Sequence, residues 1–83
     1  TDDSTTVVLR NKITELAHCI DPALSIHDFR MVPGPTHTNL IFDVVTPFGF
    51  RLEDAEVARQ LRALIRAFDS HYVPVIQVEH SYI

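Results

Sequence analysis

The stretch SIHDFRMVPGPTHTNLIFDVVTP, residues 25–47, reads as two β-strands joined by a Pro-Gly-Pro turn, and the fold follows from it. Both halves are rich in β-branched and aromatic residues, which pack well on a pleated surface. Pro33 and Pro35 each fix φ and lack a donor, and Gly34 between them can take a positive φ. Strict alternation assigns His27, Phe29 and Met31 to one face of the first strand, and Ile26, Asp28 and Arg30 to the other. In the second strand Leu40, Phe42 and Val44 oppose Ile41, Asp43 and Val45. Both faces are mostly apolar, as a central or doubly covered strand requires. Asp43 is the exception, because a carboxylate in an apolar run is costly unless paired, hydrogen-bonded or bound to a cation.

Outward from this hairpin, Leu9, Ile13, Leu16 and Ile20 recur at helical spacing, and the residues after Asp3, Ser4 or Thr5 can open a helix that one of these three caps. Asp21-Pro22 ends that helix, since a residue before proline is pushed away from the helical region. Downstream, 47–50 is a loop, and a second helix is expected from about Leu52. Glu53, Asp54 and Glu56 lie in its first turn, and Val57, Leu61, Leu64, Ile65 and Phe68 form its apolar stripe. A last strand over 72–80 alternates Val73, Val75, Gln77 and Glu79 against Pro74, Ile76, Val78 and His80. The order α-β-β-α-β predicts an α+β sandwich: a three-stranded mixed sheet with both helices on one face, closed by a right-handed parallel crossover. The other face would carry Ile41, Val45, Val73 and Val75 with Asp43, Gln77 and Glu79. Such a face is poorly suited to water, and a homodimer through it is the simplest cover.

Composition narrows the function. Eighty-three residues make one small domain, 1–83, near the lower limit for a single apolar core. Domains of this size often gain stability from oligomerisation or metal. A net charge of −4 argues against nucleic acid, which needs a basic surface. Cys19 is the single cysteine, so no internal disulfide can form. No apolar run approaches the roughly 20 residues that cross a bilayer. The chain starts at Thr1 without Met, which reads as a piece of a longer protein. There is no glycine-rich phosphate loop, nucleophile elbow or HExxH helix, so an enzyme is not expected.

The run from Ile26 through His27-Asp28-Phe29, the Gly-Pro turn and LIFDVV, followed by a helix and PVIQVEHSY, resembles the cytoplasmic C-terminal domain of the cation diffusion facilitator family of metal transporters. The likeness covers almost the whole chain. It implies a ferredoxin-like, metallochaperone-like αββαβ fold that pairs as a V-shaped homodimer beneath the transmembrane domain of the same full-length chain. It also implies a place at the cytoplasmic face of the cell membrane, and a divalent ion at the dimer interface that regulates metal/proton antiport. His27 matches the family's first-strand ligand, Asp43 stands where many members have histidine, and Glu79 matches the acid of the closing strand. Gln77 replaces a usual histidine; His80 could compensate if the strand end turns. One imidazole with carboxylates is a harder set than a His-rich one, so manganese, iron or cobalt compete with zinc.

Each of these residues has a plainer reading. His27 can be a hydrogen-bonded core histidine, Asp43 can pair with Arg30 or Arg51, and Glu79 and His80 can form a solvated strand end. His37 reads as exposed, with a role at the dimer edge or as an outer ligand as the rival. His18 suits the C-terminus of the first helix, beside Cys19, and His71 reads as a loop residue. Two other functions stay open: a dimerisation module that binds no metal, and a small-molecule-binding regulatory domain of ferredoxin-like fold.

Overall fold

A computed structural model describes residues 3–81. The chain runs α1 (Asp3–Ile20), β1 (Ser25–Pro33), β2 (Thr38–Pro47), α2 (Asp54–Phe68) and β3 (Tyr72–Ser81). The sheet has the order β1-β2-β3, with β1 antiparallel and β3 parallel to β2. This is the expected ferredoxin-like α+β arrangement. Leu9, Ile13 and Ala17 of α1 and Val57, Leu61 and Ile65 of α2 join Leu40, Phe42 and Val44 in one core. Both helices therefore cover the same face of the sheet. Phe42, at its centre, is 1% exposed, and truncating such a residue to alanine costs about 3–5 kcal/mol.

Three local readings are corrected. First, the helix starts are displaced. α1 already includes Asp3, Ser4 and Thr5, so Ser4 and Thr5 do not cap it, and its cap position lies outside the described residues. α2 begins at Asp54, with Glu53 as an extended N-cap residue.

Second, β1 does not alternate strictly. Its register jumps from His27↔Asp43 to Arg30↔Ile41, so Asp28 and Phe29 together oppose Phe42. This is a β-bulge, and Asp28 takes φ +55, a left-handed value that aspartate tolerates better than most residues. The inserted residue resets the faces. Ile26 pairs with buried Val44 and Met31 with buried Leu40, while the Phe29 and Phe42 rings stack at 5.9 Å. Ile26, Phe29 and Met31 thus share the helix side, and His27 and Arg30 the other.

Third, Gly34 is required by space and not by a positive φ. Its N–H donates to the His37 carbonyl at 2.8 Å, closing the hairpin, and a Cβ there would stand 2.9 Å from that same oxygen. The positive φ, +73, belongs to Gly49, third in the turn closed by Phe50 N–H to Pro47 O at 3.1 Å.

Arg51 ties this second turn to the end of α1. Its Nη2 donates to Ile20 O at 2.8 Å and its Nε to Asp21 Oδ2 at 3.1 Å. The buried hydroxyls of Thr38 and Thr46 lie at opposite ends of β2. Thr38 Oγ1 is 2.9 Å from His71 Nε2, and Thr46 Oγ1 is 3.1 Å from His80 Nδ1. Neither helix is long and apolar enough to cross a membrane.

Candidate functional site

The face of the sheet turned away from the helices carries the candidate residues. In β2 every second residue is buried, and Asn39, Ile41, Asp43 and Val45, between them, point to this open face. Pairing extends the face in rows across three strands. Arg30, Ile41 and Val75 form one row, His27, Asp43 and Gln77 the next, and Ser25, Val45 and Glu79 the third. Beyond them Val32 and Val73 flank Asn39. The face is therefore apolar at one end, where Val32 and Val75 are 47% and 49% exposed, and polar at the other.

The bulge brings His27 to this face. It is exposed and is not a core histidine; its Nε2 lies 3.3 Å from Ser25 Oγ. His27 and Asp43 are direct cross-strand partners in the β1–β2 pair. Asp43 is half-buried and forms no ion pair among the described residues: Arg51 takes Asp21, and Arg30, one row away on the same face, lines the same cleft without bridging to it. The proposed neutralisation of Asp43 by Arg51 is thereby excluded. Glu79 lies one row further along and accepts a long contact of 3.5 Å from Gln77 Nε2.

His80 does not join this set. The strand end does not turn: β3 runs on to Ser81, and His80 pairs with Thr46 on the helix side. Its Nε2 stands 2.9 Å from Asp54 Oδ1, at the first turn of α2, and its Nδ1 meets the Thr46 hydroxyl, which also donates to Glu79 O at 3.3 Å. The remaining histidines have other local roles. His18 Nε2 lies 3.0 Å from Leu24 O just past the end of α1, and His37 contacts Thr36 Oγ1 at 3.1 Å in the hairpin loop.

A fit to a divalent ion is therefore partial. One chain supplies an imidazole and a facing carboxylate, with a second carboxylate one row away. Among the described residues no three His, Cys, Asp or Glu side chains converge as a complete ligand group. The donor set, one nitrogen with carboxylate oxygens, has the hardness that manganese, iron or cobalt accept alongside zinc.

Sequence reasoning missed Asp28 as the inserted residue and Leu24 as a core residue, 1% exposed in the α1–β1 connection. The signal for the first lay in the spacing of Ile26, Phe29 and Met31, whose apolar period fits a strand only if one residue is extra. No family model matches the chain, and neither curated proteins nor solved structures yield a match.

Proposed function

We propose that this chain is a metal-responsive homodimerisation domain of the kind found at the cytoplasmic side of cation diffusion facilitators, where it regulates divalent-metal/proton antiport by the membrane domain of the same full-length chain. The observation that carries the reading is the His27–Asp43 pair, a cross-strand imidazole and a half-buried carboxylate that forms no ion pair among the described residues, on the uncovered face of the sheet. Two copies related by a twofold axis across that face would contribute His27 and Asp43 twice, with Glu79 at the margin, completing a ligand group that one chain lacks. When bound, a divalent ion supplies a link between the two copies. The apolar end of the face, Val32, Ile41, Val73 and Val75, supplies the part of the contact that needs no ion.

Calorimetric titration of Zn²⁺, Mn²⁺ and Fe²⁺ into the wild type and His27→Ala tests the metal. Binding heat in the wild type that disappears in the variant is expected; equal heats remove His27 from the site. A second reading, dimerisation without metal, rests on the exposed apolar end of the same face, Val32 and Val75 beside Ile41 and Val73. Sedimentation with and without chelator separates the two. A dimer that loosens on chelation supports the metal reading, and a dimer indifferent to it, with no metal heat, supports the second.

A further inference from the structure

On the helix side of the molecule, opposite the His27–Asp43 face, a groove of about 560 Å³ runs between the first turns of α1 and the end of α2. We propose that this groove binds a small aryl carboxylate. Leu9 forms its floor, and Val8 and Phe68, 68% and 45% exposed, form its walls. Phe68 belongs by spacing to the apolar stripe of α2, yet among the described residues Tyr72 and Lys12 cover it only in part. Its ring stacks on Tyr72, with centroids 6.3 Å apart and 10° between planes, and His71 meets Tyr72 edge-on at 5.7 Å. The result is a flat aromatic wall held in place before any ligand arrives. Planar aromatic guests match such a wall by offset stacking.

The charge at the groove selects the other end of the ligand. Among the described residues that line it, Lys12 alone carries a formal charge. Its ammonium lies 5.5 Å above the Phe68 ring, and its nearest acid, Glu15, is a loose, exposed partner at 3.9 Å. Ser4 and Thr5, on the same rim, are its polar neighbours. One cation with polar neighbours beside an apolar slot matches a singly charged carboxylate attached to a ring. A phosphate would call for more cations. In a chain of net charge −4, a lone lysine over an apolar floor is a selective feature.

The test is a titration of the ¹⁵N-labelled chain with 2-naphthoate, followed by amide chemical shifts, with the neutral alcohol 2-naphthalenemethanol as control. Saturating shifts confined to residues 4–12 and 68–72 are expected, with a dissociation constant of about 1 mM for a ligand of this size. Lys12→Gln, which removes the charge from a half-exposed side chain and should leave the rest of the spectrum in place, should weaken binding about fivefold. The alcohol should bind the wild type correspondingly less well. Absence of saturable shifts, shifts on the β1–β2 face instead, or equal binding of acid and alcohol would overturn the proposal. Absence of shifts, or equal binding of acid and alcohol, leaves the metal reading untouched, since that rests on the other face.

Discussion

Glu79 and His80 are adjacent in the chain and lie on opposite faces of the sheet. Glu79 pairs with Val45 on the open side, and His80 pairs with Thr46 on the helix side, where Asp54 and the Thr46 hydroxyl hold both ring nitrogens. The two neighbours therefore have different surroundings, one beside the candidate residues of the open face and the other between β3 and the first turn of α2.

Paired alanine variants should separate those roles. His80→Ala is expected to cost about 1 kcal/mol in urea unfolding, from lost hydrogen bonds at a half-exposed position, and to leave the heats of metal titration unchanged. His27→Ala is expected to do the opposite, with a stability change under about 0.5 kcal/mol. Loss of metal heat in His80→Ala would return that residue to the site.

At the bulge, Asp28→Gly should hold or raise stability, because glycine enters the left-handed region without a steric penalty, while Asp28→Val should lower it by about 1–2 kcal/mol. Deleting Asp28 outright leaves Ile26, His27, Phe29, Arg30 and Met31 in register against Val44 to Leu40. The deletion variant should therefore fold with a regular hairpin, which cross-strand nuclear Overhauser contacts between Phe29 and Phe42 would verify.

Gly34→Ala places a methyl group 2.9 Å from the His37 carbonyl oxygen, a backbone atom that also accepts the Gly34 N–H. The loop must open to accommodate it, at about 1–3 kcal/mol. Gly49→Ala meets no atom within 4 Å but inherits φ +73, and should cost about 1 kcal/mol for the backbone alone. Thermal denaturation of the pair distinguishes a contact penalty from a conformational one.

Acid should weaken the fold through its surface carboxylates. Hydrogen bonds from Arg59 and then Gln60 hold Glu56 down at about 2, against an ordinary 4.5. The Ala23 N–H, and then Arg51, lower Asp21. A carboxylate depressed in the folded state contributes fully above its unfolded pKa, and that contribution fades as pH falls through the folded value. Stability curves of wild type and Glu56→Gln should thus lie apart at neutral pH and converge between about pH 4.5 and 2. Parallel curves across that range would show that Glu56 contributes nothing there.

The element order and the core were legible in the sequence because both helices and β2 carry unbroken apolar periods. Leu9 and Ile13, Val57, Leu61 and Ile65, and the run Leu40-Phe42-Val44 are buried as their spacing indicates, whereas Leu16, Ile20 and Leu64 of the same stripes are half-buried and Phe68 is exposed. The facing of β1 was not legible by alternation, since one inserted residue shifts every side chain before it relative to those after. Strict alternation therefore puts His27 on the face of Phe29 and Met31, whereas it faces Asp43 on the open side. The division between Glu79 and His80 did follow from alternation, but the partners of His80 could not: Asp54 and Thr46 lie 26 and 34 positions away. The groove beside Phe68 is not legible in the sequence for a related reason. Spacing assigns an apolar residue to a stripe and is silent on whether a neighbour reaches far enough to cover it.

The threonines at the two ends of β2 have a consequence for how the parallel strands find their alignment. Sliding β3 by two residues along β2 would keep every side chain on its proper face, so greasy patterning alone permits the slip. It would also strand two buried hydroxyls, parting Thr38 from His71 and Thr46 from His80. The imidazoles act as a pair of latches that admit a single alignment, and removing both should yield a β3 that samples neighbouring registers.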